Sequence, residues 1–448
     1  MADRLSIVVE HSTDTPALDC MYAAQLAAAS ARSGAPDPTS IVRLRGDDAH
    51  GFSDTIQHVA PWEAIVPTGL LWIDRIAQGT LVRDCDEHLG SRRTGAPLEI
   101  VSINPCSFSH WDSHHFAAAV AARTADAVFV RVESRGDKLH AAMHDRSGRT
   151  VQLPPLTIDR YGRPSAIDAE QLPPEFIRMI DQVKPTAADR PFRKTPTDTD
   201  AAPPLKIVLV GVERNFRKHG PALLASVGDA ADAAGREVEV EIVSPHDLHS
   251  RDALESVAAA DGLLLPGGSD MGEVEGQIAA ASHAFQKKVP TLGVCLGMQS
   301  MVVSLARTLL ALPGANLEEV DSAAATLVFK RLRGTDGAPI YRLGSHQVRV
   351  NPGTRFAEMY GRSEIPVRMA HRYHLSHELL PSLLDKGLAI GGRSEDGRVI
   401  DAIEFPAHPF FVGIQGHPEY SSRADDPAGL LMGFFDAAGR HKLSRKPL

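Results

Sequence analysis

The chain has 448 residues, enough for two or three domains. Hydrophobic residues make up 43% and charged residues 23%, which excludes a disordered or fibrous chain. A formal net charge of -9 excludes a general binder of nucleic acid or of an anionic membrane surface.

The start of the chain lacks the basic segment and long apolar core of a secretory signal, and no apolar run approaches the length of a membrane span. A cytoplasmic protein is expected. Leu5–Val9 is an apolar run that predicts a strand, and the alanine-rich Ala17–Ser33 predicts a helix closing at Gly34. Ile41–Leu44, Ala64–Val66, Glu99–Ile103 and Ala127–Val132 predict further strands, with a helix over His115–Ala125 before the last of them. Leu139–His144 and Thr150–Leu153, separated by Arg146-Ser147-Gly148, predict a hairpin. Pro174–Val183 predicts a short helix. Residues 1–183 are thus expected to form an α/β domain.

Within that half, Cys106–His115 is unusually polar. His110, Asp112 and His114 alternate, so an extended segment would place all three on one face, as a metal or phosphate site requires. The plainer reading of the stretch is a polar loop with Asp112 or Ser113 capping the following helix. No metal ligand is assigned.

Residues 184–204 are rich in Pro, Thr, Asp and Ala and nearly devoid of large apolar residues. Such a segment buries too little surface to offset its ordering entropy, so it predicts a linker. Beyond it, over 205–448, short apolar runs alternate with helical patterns. Ile207–Val210, Val238–Val243, Gly262–Leu265, Thr291–Val294 and Phe410–Ile414 predict strands, with helices over Pro221–Ala234 and Leu254–Ala260. This alternation predicts a mostly parallel sheet flanked by helices, with ligands beyond the carboxyl ends of the strands. The chain as a whole is expected to be α/β with two domains.

The chemistry-bearing motifs fall at those strand ends. Gly293-Val294-Cys295-Leu296-Gly297 has the form strand, G-x-C-x-G, helix, in which the glycines permit the tight turn that projects a nucleophile. The thiol would sit at a helix N-terminus, whose dipole favours a thiolate. The other cysteines, Cys20, Cys85 and Cys106, show no CxxC spacing and predict reduced thiols. Further on, Gln415-Gly416-His417-Pro418-Glu419 places a histidine two residues before a carboxylate. On an extended segment the two share a face, so Glu419 could orient His417, which would manage the Cys295 proton. Pro266-Gly267-Gly268 closes the strand before the nucleophile unit; its backbone lets ligand approach closely at Gly267, and the Gly268 and Leu296 amides would form an oxyanion hole.

With these motifs in place, residues 205–448 resemble the glutaminase domain of CTP synthase, a class I (triad) glutamine amidotransferase. The blocks that carry the resemblance are DGLLLPGG, VEGQI, VPTLGVCLGMQS, ANLEE, YRLGSHQV, AHRYHLS, GGRSEDG and EFPAHPFFVGIQGHPEYSSR, in order. The resemblance implies that Gln299, Glu319 and Arg372 contact the substrate, L-glutamine. The chemistry agrees, since an α-ammonium pairs with a carboxylate and an α-carboxylate with a guanidinium. It also implies a ligase reaction in which the ammonia aminates an acceptor, here unidentified.

Two departures limit what the resemblance implies. Where the family's loop follows Pro-Gly-Gly with an aromatic residue, glycine and then arginine, this chain reads Ser269-Asp270-Met271-Gly272-Glu273, so no stimulation by GTP is expected. Residues 1–183 also contain no G-x-x-x-x-G-K-[ST] phosphate loop, so ATP and magnesium enter only if this domain or a partner is a ligase. A homo-oligomer and a separate synthetase partner are both compatible with the sequence. Two rival readings stay open: a γ-glutamyl hydrolase or transferase without ammonia transfer, and a non-catalytic partner of a synthetase.

Overall fold

Leu5–Ser12 (β1) is buried along almost its whole length, as a strand covered on both faces must be. It stands at the centre of a seven-stranded sheet in the N-terminal of two compact units. The structure, a computed structural model, describes residues 5–12, 15–33, 39–45, 58–59, 65–66, 70–77, 82–88, 98–104, 127–144, 149–181, 204–268 and 270–445. The polar cluster His110, Asp112, His114, the helix expected over 115–125, the turn at 146–148 and nearly all of the expected linker lie outside these residues.

The remaining strands of this half of the chain are Thr39–Arg45 (β2), His58–Val59 (β3), Ile65–Val66 (β4), Val82–His88 (β5), Leu98–Ile103 (β6), Ala127–Arg135 (β7), Lys138–His144 (β8) and Thr150–Thr157 (β9). The large sheet has the order β5-β2-β6-β1-β7-β8-β9. Its first five members run parallel, and β8 and β9 continue it as antiparallel strands. The expected hairpin is β8–β9, with His144 opposite Thr150. The strand β9 runs on through Pro154 and Pro155, which a sheet edge tolerates because one side of the strand needs no ladder donor.

The helix expected over 17–33 is broken. Pro16–Leu18 forms a single tight turn, Cys20 takes a left-handed φ of 61°, and the regular helix is Met21–Arg32. Its face carrying Met21, Tyr22 and Leu26 is fully buried, and the Tyr22 hydroxyl donates to Pro154 O at 2.8 Å. Each such large apolar side chain contributes about 1.5–3 kcal/mol on burial. Pro174–Asp181 is an amphipathic helix that buries Phe176 and Ile180.

The C-terminal unit contains Leu205–Val210 (β10), Val238–Val243 (β11), Gly262–Leu265 (β12), Thr291–Val294 (β13), Ala315–Leu317 (β14), Thr326–Arg331 (β15), Arg342–Val350 (β16), Glu364–His371 (β17), Tyr373–Leu375 (β18), Ala389–Ser394 (β19), Ile400–Glu404 (β20) and Phe411–Ile414 (β21). Nine of them form one sheet in the order β11-β10-β12-β13-β21-β20-β19-β16-β17. The half from β11 to β21 is parallel, as the alternating pattern predicts. The half from β20 to β17 is antiparallel, which the hydrophobic pattern alone does not predict. A three-stranded sheet, β14-β15-β18, lies beside it.

Helices Val274–Lys287, Leu296–Leu309 and Gly429–Arg445 pack on strands of the large sheet, Ala222–Ala233 packs against Gly429–Arg445, and Arg251–Ala259 against Val274–Lys287. The helix Arg251–Ala259 starts three residues earlier than expected because the Ser250 hydroxyl caps it, accepting from Ala253 N. Leu296–Leu309 is buried on all faces from Leu296 to Ala306, which accounts for its run of small and apolar residues. Among the described residues, no helix is long and apolar enough to cross a membrane.

Candidate active site

Strands β12, β13 and β21 are adjacent and parallel, with Leu265 opposite Gly293 and Val294 opposite Ile414. Their carboxyl ends therefore bring Pro266-Gly267-Gly268, Cys295 and the segment Gln415–Glu419 to one place. Cys295 sits between β13 and its helix with φ 50° and ψ -109°, a conformation that L side chains avoid. It is held there from both sides: Cys295 N donates to Ile414 O at 2.7 Å, and its carbonyl accepts from Gln299 N at 3.1 Å. The flanking glycines are required by space. A Cβ on Gly297 would lie 2.1 Å from Leu265 O, and one on Gly293 would lie 2.4 Å from Met301 Sδ.

His417 faces the thiol across Gly267. A Cβ at Gly267 would stand 2.9 Å from His417 Cε1 and 3.2 Å from the Cys295 Cβ, so only glycine lets the two side chains meet. The His417 imidazole stands within electrostatic reach of the Cys295 sulfur, and His417 Nδ1 bonds Glu419 Oε1 at 2.8 Å. The last contact does not arise from an extended segment. Pro418–Tyr420 is a tight turn, and it is this turn that folds Glu419 back under His417. Glu419 Oε2 is buried and takes no hydrogen bond among the described residues, so the carboxylate is directed at the imidazole alone. Tyr420 stacks on the His417 ring at 4.8 Å.

All three groups are nearly excluded from water, with 7%, 7% and 5% of Cys295, His417 and Glu419 exposed. Burial opposes a charged imidazole, but the Glu419 carboxylate and the Cys295 sulfur outweigh it and push His417 up to about 10. The geometry therefore favours a protonated histidine beside the sulfur at neutral pH. Leu296 N is the first amide of its helix and has no intrahelical acceptor. Gly268 lies beside it: a Cβ at Gly268 would find Leu296 Cδ2 as its nearest neighbour, at 3.7 Å. These two backbone positions stand at the carboxyl ends of β12 and β13, on either side of the contact between Gly268 and the Leu296 side chain.

Glu319 follows β14, and Arg372 separates β17 from β18. They are brought together: Arg372 Nη2 donates to Glu319 Oε1 at 2.7 Å. That hydrogen bond holds the guanidinium above its usual value. Gln299 is placed differently from its neighbours. Its side chain is 4% exposed and donates to Gln415 Oε1 at 3.3 Å, so it reaches the sulfur through Gln415.

Three groups here were missed in the sequence. Gln415 donates through Nε2 to Cys295 Sγ at 3.6 Å. Tyr341 is half-exposed and stands within electrostatic reach of Arg372, Cys295 and Glu319. Behind the histidine, Arg342 forms a two-pronged pair with Asp401, one arm at 3.0 Å, and bonds His371 Nε2 at 3.2 Å. Burial pushes Asp401 up in spite of Arg342, and burial followed by Arg342 pushes His371 well down. Gln415, Tyr341 and Arg342 lay inside stretches already singled out, without a role of their own, whereas Asp401 carried no local signal. Among the described residues no group of three or more His, Cys, Asp or Glu side chains could hold a metal.

Comparison with known proteins agrees with this architecture. Residues 228–437 match the family model described as glutamine amidotransferase class-I. CTP synthase of Mesoplasma florum is 36% identical over 211 residues, covering 46% of this chain and 40% of the relative. CTP synthase of a Picosynechococcus species is 34% identical over 242 residues, covering 53% and 44%. For that of a Cyanothece species the figures are 30% identity over 311 residues, 67% and 54%. The chain thus spans about half the length of the curated relatives it matches. The glutaminase domain of Trypanosoma brucei CTPS with bound acivicin superposes with a TM-score of 0.50 at 27% identity, covering 53% of this chain and 94% of that one. The C-terminal half of this protein therefore contains a class I glutamine amidotransferase domain similar to the glutaminase part of CTP synthases.

Proposed function

We propose that this chain is a glutamine-dependent amidotransferase in which residues 205–448 hydrolyse L-glutamine through a thioester on Cys295. The observation that carries this reading is the meeting of a strained Cys295 with His417, itself bonded to Glu419, over Gly267. Glutamine enters with its ammonium at Glu319 and its carboxylate at Arg372, replacing their mutual pair. The sulfur attacks the side-chain amide carbon, and the Gly268 and Leu296 amides take the oxyanion. His417 gives its proton to the nitrogen as the C–N bond breaks and ammonia leaves. It then takes a proton from water, which attacks the thioester, and glutamate departs as the C–S bond breaks.

The ammonia aminates an acceptor of undefined structure, with residues 1–183 as the acceptor domain and 184–204 as the linker. The residues that close β1 do not resemble an ATP phosphate cradle. Glu10, His11 and Ser12 stand there without a glycine, and burial pushes His11 down to about 4, so it carries no charge at neutral pH.

The test is glutamine turnover together with labelling. A glutamine analogue bearing an electrophilic carbon in place of the amide is expected to add its mass to Cys295 and to stop ammonia release. Absence of ammonia release from glutamine, or labelling at another residue, would overturn the reading. Turnover of other γ-glutamyl compounds without any amination product would favour a hydrolase or transferase.

A further inference from the structure

Gln415 is completely buried, and a buried carboxamide must place both its donor and its acceptor. Its Oε1 accepts from Gln299 Nε2 at 3.3 Å, which leaves Nε2 facing Cys295 Sγ at 3.6 Å. The backbone is fixed as well: Gln415 N donates to Asp401 O at 2.7 Å, on the strand whose Asp401 carboxylate is clamped by Arg342. Gln299 lies one helical turn from Cys295 and accepts nothing from the sulfur itself, so its bond to Gln415 decides which way round the Gln415 amide points.

Resting on the glutaminase reading above, we propose that Gln415 is a catalytic residue whose side-chain N–H stabilises the Cys295 sulfur while it carries negative charge, and that Gln299 is the positioning residue that orients it. The sulfur is anionic twice in the cycle. It is so before attack, when its proton has passed to His417, and again when the C–S bond of the thioester breaks and the electron pair returns to sulfur. An N–H directed at the sulfur lowers both states relative to the neutral thioester between them.

The test is the rate at which iodoacetamide alkylates Cys295 at pH 7, a reaction that needs neither glutamine nor an acceptor. Gln415→Glu keeps the shape but turns an anionic oxygen toward the sulfur, and is expected to slow alkylation about tenfold or more, as loss of a hydrogen bond to a charged group does. Gln299→Leu, which leaves Gln415 in place but free to rotate, is expected to slow it by a smaller factor and to lower kcat more than it raises KM. Alkylation within twofold of wild type in a folded Gln415→Glu protein would overturn the proposal; if that variant does not fold, an unchanged rate in Gln299→Leu overturns it. Loss of the alkylation difference and loss of glutamine turnover are separate results. A wild-type protein that releases no ammonia but shows the difference would reject the glutaminase reading alone.

Discussion

Arg372 and Glu319 form a hydrogen-bonded ion pair at 2.7 Å, so the two groups suited to opposite ends of an amino acid neutralise each other when no ligand lies between them. Arg372 is 47% exposed, and a pair this open adds only about 0–1 kcal/mol to stability. On the proposed reading, its value lies in binding. Glu319→Gln is expected to raise KM for glutamine about 10–100-fold, the loss of one charged hydrogen bond, with a smaller change in kcat and an unchanged melting temperature. Steady-state kinetics with a thermal melt would show this. An unaltered KM would remove Glu319 from the site.

The pH dependence follows from His417. Burial opposes its charge, yet Glu419 and the Cys295 sulfur together push it up to about 10, so the proton needed by the leaving nitrogen is held across the neutral range. The alkaline limb of kcat/KM is expected where His417 loses that proton. Glu419→Gln removes the carboxylate charge and should move the limb to lower pH. Because the folded state holds the proton more tightly than the unfolded state, the associated stability is complete below about 6.5, the ordinary value, and is lost as pH rises through about 10. A limb at the same pH in both proteins would contradict this assignment.

Glycine requirements differ sharply around the nucleophile. Gly297→Ala forces a Cβ to 2.1 Å from the Leu265 carbonyl, where backbone must move, whereas Gly268→Ala meets nothing nearer than 3.7 Å. Gly297→Ala is expected to cost about 3 kcal/mol, and Gly268→Ala to be tolerated in stability. Urea denaturation of the two variants makes the comparison.

Arg342 and Asp401 are a buried pair tying β16 to β20 directly behind Gln415. Removing one member leaves an uncompensated charge in the interior. Arg342→Ala is expected to lose about 3–5 kcal/mol, and Arg342→Ala combined with Asp401→Leu to recover part of that loss. Equal stability of the single and double variants would show that the charge is not what the fold resists losing.

What the sequence made legible was what short segments encode. The Gly293–Gly297 elbow is punctuated by two glycines that each occupy a place no Cβ could, and the parallel strands are continuous apolar runs. His417 and Glu419 were identified for their spacing, although a tight turn and not an extended face brings them together. Contacts closed over long distances were silent. Arg342 meets Asp401 only because β16, β19 and β20 assemble into one antiparallel half, a pairing that neither strand's own sequence announces. Gln415 stood in plain view, but its bond to sulfur depends on where β21 ends beside β13. In the N-terminal unit, the break before Met21–Arg32 rests on a left-handed cysteine that no glycine announces.

The most direct test of the account is ammonia release from glutamine by the Cys295→Ala protein beside wild type. The account predicts a fall of at least about 10⁴-fold, as removal of a nucleophile that works as a unit with its histidine produces, with the melting temperature preserved. Glutamine hydrolysis by Cys295→Ala within tenfold of wild type would contradict it.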